Sequence, residues 1–284
     1  MRVQMTFDTF WKEQNKLAAA ERTVDLKGLE FHNPLGNYYE AVFPATDGTP
    51  LHMRCIWPAS ATPAPTVLMF HDYGRGIRGW HHMTRFLALG YGVAALENRC
   101  TVLDISDGWH DAPYALTAAQ LYIDALTAAH VARTFPEVDA DRLMTWGEGL
   151  GGGLAIAAAA FVPGIVKCAV LNPLPADFRA VWQSGCDAGI YAGIKTHFRN
   201  EDPQGLYTDS FFQAISYLDC SRFAALMQCP FLMGTGAMDL IAPAGSQDTV
   251  MNGVASEKKH LIYPKYGHER INFFENELLK FLHP

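Results

Sequence analysis

The spacing of apolar positions changes near residue 66. Upstream, Phe7, Phe10, Trp11 and Leu17 fall on one helical face and predict an amphipathic helix over Phe7–Ala20. Tyr38–Pro44 and Leu51–Trp57 predict a hairpin that turns at Thr46-Asp47-Gly48. The Pro-rich stretch Pro58–Pro65 reads as a surface connection. Downstream, short apolar runs alternate with helical stretches. Strands are predicted at Thr66–His71, Gly92–Glu97, Arg142–Trp146, Ile165–Leu171, Pro230–Gly234 and Lys259–Tyr263. Helices are predicted at Trp80–Leu89, Leu116–Phe135, Gly151–Phe161 and Arg270–Leu282. Short apolar strands between helices imply an α/β fold, a mostly parallel sheet with helices on both faces. The segment Pro173–Leu226 breaks the alternation and predicts several short helices, a cap inserted at about 173–226. With no internal repeat, the whole chain, 1–284, is expected to form one α/β domain, introduced by the helix and hairpin of residues 1–57.

Composition agrees and excludes some classes. The chain has 284 residues, 49% of them hydrophobic, enough for a substantial core. A formal charge of −7 without any Lys/Arg cluster argues against nucleic acid and against an anionic membrane surface. Met1–Lys16 lacks the apolar core of a signal peptide, and no apolar run is long enough to span a bilayer. Six widely spaced cysteines with no C-x-x-C pair are expected to be free thiols in a cytoplasmic protein, and structural zinc is not expected.

Chemistry concentrates at Gly147-Glu148-Gly149-Leu150-Gly151. This run follows a strand and opens into the Ala-rich helix, which is the context of a G-x-S-x-G nucleophile elbow. The outer glycines fit at 147 and 151, but the central position is Gly149. The chain therefore has the elbow of a serine hydrolase without the serine. Glu148 is no substitute, because centring the elbow there puts Trp146 and Leu150 where the glycines belong. Gly147, Gly149 and Gly152 also satisfy a dinucleotide G-x-G-x-x-G, yet no acidic residue stands at the end of a second strand about 20 residues on.

Several segments together resemble one family. Phe7-Asp8-Thr9-Phe10-Trp11-Lys12-Glu13, Asp72-Tyr73-Gly74, Phe135-Pro136-Glu137-Val138-Asp139, Asp177-Phe178-Arg179-Ala180, Ala237-Met238-Asp239 and Tyr266-Gly267-His268-Glu269 are similar to the acetyl xylan esterases and cephalosporin C deacetylases, carbohydrate esterase family seven of the α/β-hydrolase fold. The resemblance spans nearly the whole chain. It implies hydrolysis of acetyl esters on small sugars or similar alcohols, without a cofactor or metal. Three departures stand out. The family's G-G-S-Q-G-G reads Gly147-Glu148-Gly149-Leu150-Gly151-Gly152, and its R-G-Q reads Arg99-Cys100-Thr101. The stretch Thr101–Pro113 is shorter than the family insert that contributes to its oligomer interface, so a homo-oligomer stays open.

Site residues follow from strand order. His268, after the strand ending at Tyr263, is the candidate general base. Asp239, after the strand ending at Gly234, is its candidate orienting carboxylate, and the order elbow, Asp, His is that of α/β hydrolases. The resemblance places the oxyanion-hole amides at Tyr73 and Leu150, a role any backbone N–H can fill. Arg99 and Glu269 are candidate supports, with a structural arginine paired to a carboxylate as the other reading of Arg99. Cys100 is a second nucleophile candidate at a strand end, though a small buried hydrophobe is the commoner role. His71, His81 and His82 read as rim or surface histidines, since adjacent 81 and 82 cannot chelate one metal from a helix. Trp80, Trp109 and Tyr191 could line a sugar pocket or pack in the core.

Two classes of function follow. One is an esterase whose serine mechanism is lost, leaving weak attack by a water held in the vacated space and deprotonated by His268. The other is a non-catalytic protein that binds a small ester or acetylated sugar, or serves regulation. An engineered nucleophile mutant fits less well, because residues 100, 101 and 150 also depart from the family.

Overall fold

In the computed structural model, residues 5–60, 62–99 and 104–282 are described. Cys100 and Thr101 lie outside them. Nine strands form one sheet in the order β1-β2-β3-β5-β4-β6-β7-β8-β9. These are β1 (Asp25–Leu29), β2 (Gly36–Pro44), β3 (Pro50–Pro58), β4 (Ala64–Phe70), β5 (Gly92–Glu97), β6 (Val138–Glu148), β7 (Ile165–Leu171), β8 (Phe231–Gly236) and β9 (Lys258–Tyr263). β1, β2 and β3 are antiparallel, and β3 also runs antiparallel to β5. From β5 through β4 to β9 every pairing is parallel.

Both faces of the parallel part are buried, which is why its strands read as unbroken apolar runs. Side chains still alternate between the two cores. Leu68 and Phe70 of β4 and Ala94 and Leu96 of β5 join the core under the N-terminal helix. Val67, Met69, Val93 and Ala95 join the opposite one with Trp146 and Phe274. The first helix, Phe7–Ala18, is capped by Thr6, whose side chain accepts from Thr9 N–H. It buries Phe10 and Trp11 completely enough that the Trp11 indole must find a partner, and it donates to the Tyr217 carbonyl at 2.9 Å.

The predicted strands and the hairpin appear at their predicted places, lengthened by one to four residues at some ends. Other elements differ. The stretch predicted as one helix over Trp80–Leu89 is an α-helical turn, Trp80–Thr84, followed by a 3₁₀ helix, Arg85–Leu89, that ends at left-handed Gly90. The helix predicted over Leu116–Phe135 is shorter, Ala119–Ala132. β1 is an edge strand exposed almost throughout, so no alternation announces it. The helix Ala244–Gly253 went unpredicted because it buries mainly Ser246 and Gln247, with Val250 its one buried large apolar side chain. Between 173 and 226 the chain forms short helices, among them Phe178–Gln183, Thr208–Ile215 and Cys220–Ala224. No helix among the described residues is long and apolar enough to cross a membrane.

Candidate active site

The turn at 149 is built by close backbone approach. The strand β6 enters it and the helix Leu150–Phe161 leaves it. Gly149 sits at φ 54°, ψ −123°, a positive-φ conformation that glycine reaches freely and a residue with a side chain holds only under strain. Its N–H donates to the Leu171 carbonyl (2.9 Å), and its carbonyl accepts from Gly152, Gly153 and Leu174. The elbow backbone is therefore complete although the nucleophile is missing.

Parallel strands deliver the remaining groups to the same end of the sheet. The Asp239 side chain is fully buried after β8. Its Oδ1 accepts from the N–H groups of Ile241 (2.7 Å) and Ala242 (2.8 Å), which turns Oδ2 toward the imidazole. His268 Nδ1 lies 2.6 Å from that Oδ2. Asn172, just past β7, ties the two loops together: its Oδ1 accepts from Gly236 N–H (2.8 Å) and its amide donates to the Gly267 carbonyl (3.2 Å). Glu269 is exposed and accepts from Gly267 N–H (3.1 Å), bracing the turn that carries His268.

The vacated serine space is filled. Asp72, directly after β4 and 6% exposed, points its carboxylate into the elbow. Asp72 Oδ1 accepts from Tyr73 N–H (2.7 Å) and from Leu150 N–H (3.0 Å), so the two expected oxyanion amides converge on one oxygen, and that oxygen belongs to the protein. Asp72 Oδ2 lies 2.9 Å from His268 Nε2, with the Arg75 guanidinium 3.7 Å away on the solvent side. A Cβ on residue 149 would overlap Asp72 Oδ1. A side chain at 149 and the Asp72 carboxylate in this place are mutually exclusive.

Both ring nitrogens of His268 face carboxylate oxygens, so both carry hydrogen and the ring is an imidazolium. Burial pushes its pKa down, but the hydrogen bonds to Asp239 and Asp72 and their charges override that and lift it to about 9. This corrects the expectation of a water held beside Gly149 and deprotonated by His268. A carboxylate occupies that space, and the imidazole donates a proton to it.

Arg99, open between a site support and a structural arginine, makes the structural pairing. Its guanidinium is bidentate on buried Asp124 (2.6 and 2.7 Å) and reaches Asp47 at 2.6 Å, a structural brace between a helix and the β2–β3 turn. His71, expected at the rim, is half-buried. Its Nε2 accepts from Asn98 N–H (3.0 Å) while Nδ1 donates to the Asp72 carbonyl (3.0 Å), and burial lowers its pKa. His81 is exposed, and His82 is pushed down to about 4 by burial and by Arg85. Of the aromatics, Tyr191 is fully buried, and Trp109 packs against His110 and edge-to-face with His197 and Phe211. Trp80 packs on Phe31 and Tyr38 under Arg54.

Asp72 is the residue that sequence reasoning did not single out. A signal existed, an acidic residue at the end of a strand beside the elbow strand in a chain with glycine at the nucleophile position. Nothing in the linear order says that its side chain turns inward.

A cavity of about 210 Å³ opens beside Asp72. Met69, Phe70, Leu96 and Trp146 line its apolar part, and Arg78 and Glu148, joined in an ion pair, line its polar part.

Comparison with known proteins adds the family. A family model for acetyl xylan esterases matches residues 2–284. Acetyl xylan esterase 1 from Thermoanaerobacterium sp. JW/SL YS485 superposes with a TM-score of 0.91 at 26% identity, covering 98% of this chain and 92% of that one. An acetyl xylan esterase from Paenibacillus sp. R4 gives 0.88 at 23% identity, covering 99% and 95%. A cold-adapted esterase from an Arctic intertidal metagenomic library shares the fold at 14% identity, with a TM-score of 0.63 over 91% of this chain and 98% of that one.

Proposed function

This chain belongs to the acetyl xylan esterase family, and we propose that it retains the family's small-ester site in a form that does not turn acetyl esters over. The observation that carries this reading is the Asp72 carboxylate, with one oxygen on the Tyr73 and Leu150 amides and the other on His268. Acyl transfer needs a nucleophile, a vacant amide-lined hole for the carbonyl oxygen and a base. Position 149 has no side chain, both amides already donate, and an imidazolium has no lone pair. Direct attack by water needs the same hole and the same base. General-base help is worth about two to four orders of magnitude and an oxyanion donor about two to three. Both are withheld while Asp72 stays in place.

The family and its neighbours support a small ester, such as an acetylated sugar, as the molecule this pocket descends from recognising. Every described cysteine is free, which suits a reducing compartment and supports a cytoplasmic setting.

The reading is tested with a chromogenic aryl acetate on three proteins. The natural chain is expected at background. Gly149→Ser alone is expected to stay there, because the new side chain competes with Asp72. Asp72→Gly combined with Gly149→Ser clears the hole and supplies the hydroxyl, and activity is expected to rise at least tenfold over the single variant. A pre-steady-state burst from the natural chain, or rapid labelling of a single serine by a fluorophosphonate, would overturn the proposal.

A further inference from the structure

We propose that the cavity beside Asp72 is a binding site for a small neutral phenol, which it holds without changing it. Binding there is independent of the closed elbow and goes beyond it.

The cavity is a compartment of its own. The ends of β4, β5 and β6 wall it, together with the loop that joins β4 to the helical turn Trp80–Thr84. Neither Gly149 nor His268 lines it, and neither does any described residue of the segment 173–226. The turn where Asp72, Gly149 and His268 meet leaves only about 10 Å³. A molecule in the larger cavity therefore lies out of reach of the imidazole.

Size and lining select a ring. An apolar cavity of about 150 Å³ admits benzene, so about 210 Å³ holds one ring with one or two short substituents. Buried Met69, Phe70 and Trp146 supply a thioether and two aromatic side chains, which favour a flat ring over an alkyl chain of equal size. Ile77 and Leu96 complete the apolar part.

The charged lining selects a neutral molecule. The carboxylates of Asp72 and Glu148 are matched by the guanidiniums of Arg75 and Arg78. His71 adds no charge, because burial lowers its pKa and both ring nitrogens are spent, one on Asn98 N–H and one on the Asp72 carbonyl. An ion of either sign would upset that balance and would also have to shed its hydration.

The ion pair supplies a handle for one hydroxyl. Arg78 Nη2 donates to Glu148 Oε2, and among the described residues this is the only hydrogen bond of either side chain. Further guanidinium donors and the second carboxylate oxygen stand unspent beside each other. A hydroxyl matches both, donating to Glu148 and accepting from Arg78. A ring without it would displace water from these groups and give nothing back. A phenol carries the hydroxyl on the ring itself and is uncharged at neutral pH.

The test titrates the full chain, methyl-labelled for NMR, with p-cresol. Saturable shifts of the Met69 and Ile77 methyl groups are expected, with a Kd below about 1 mM and the p-cresol recovered unchanged. Toluene, the same ring without the hydroxyl, is expected to bind at least tenfold more weakly. So are 4-methylbenzoate and 4-methylbenzylammonium, which carry a charge of either sign. Ala95→Leu fills the cavity from β5 and is expected to weaken p-cresol at least tenfold while the melting transition stays cooperative. Shifts absent from Met69 and Ile77, or confined to other methyl groups, would overturn the inference on the natural chain alone, whether or not the variant folds. Unchanged affinity in a folded Ala95→Leu protein would overturn it as well. A charged analogue bound as tightly as p-cresol would overturn the choice of a neutral ligand, and toluene bound as tightly would overturn the choice of a phenol.

Discussion

Two clusters of a cation between two aspartates lie beyond the strand ends of this one sheet, and they differ in what their charges can do. Arg99, after β5, is bidentate on Asp124 of the helix Ala119–Ala132 and extends to Asp47 in the β2–β3 turn. His268, after β9, is held by Asp239 on one nitrogen and Asp72 on the other. A guanidinium stays charged under all ordinary conditions, and here Asp124 and Asp47 hold its pKa above the usual value against the cost of burial. The Arg99 cluster can brace but cannot exchange a proton. An imidazolium lifted to about 9 can lose its proton as soon as one carboxylate partner leaves or is neutralised. Similar geometry thus yields a cluster of fixed charge in one place and a titratable one in the other, and the difference lies in the cation.

The comparison can be tested by breaking the clamp. Arg99→Ala leaves Asp124, 1% exposed, buried without its cation, and should cost about 3 to 5 kcal/mol in denaturant unfolding. A loss under 1 kcal/mol would mean that the clamp does not brace the hairpin.

The second test addresses the closed elbow. Gly149→Ser should destabilise by roughly 4 kcal/mol, since the positive φ and the overlap with Asp72 each cost about 1 to 3. That exceeds what the backbone alone requires. Adding Asp72→Gly should recover part of the loss, with a coupling of about 0.5 to 3 kcal/mol in a double-mutant cycle. Strict additivity would show that the two positions do not share space.

The third test separates the clusters by pH. The folded-state pKa of His268 is raised above its unfolded value near 6.5, so its contribution is complete below that pH and is lost as pH rises through about 9. The loss should be on the order of 3 kcal/mol between pH 6.5 and pH 10, and His268→Gln should flatten this part of the stability profile. Arg99 does not titrate in that window, so the clamp of the natural chain adds no slope of its own there.

The smallest effect is expected at the rim of the clamp. The Asp47 side chain is 42% exposed, and Asp47→Asn should cost only about 0.2 to 1 kcal/mol, read as a small shift in the urea midpoint. A larger loss would mean that the turn is held by Asp47 rather than by Asp124.

What could be read in the chain was what repeats or what is local. The apolar runs of β4 to β9 announced strands because burial on both sheet faces demands continuous apolar sequence. The elbow was legible from its glycines, since close backbone packing and a positive φ leave few alternatives. Asp239 and His268 were legible as candidates from strand order alone, because parallel strands collect their following loops at one end. β1 and the helix Ala244–Gly253 gave no such sign, the first being exposed along its length and the second burying polar side chains. Arg99 was ambiguous because its partners come from residues 25 and 52 positions away. The sequence by itself determined the hairpin and the parallel strands, the elbow without its serine and the Asp–His order. The tertiary structure alone decided that Asp72 fills the vacancy. That depends on the direction of one side chain across 78 residues to Leu150 and 196 to His268, and such an approach is set by how β4, β6 and the loop after β9 pack, not by any spacing along the chain.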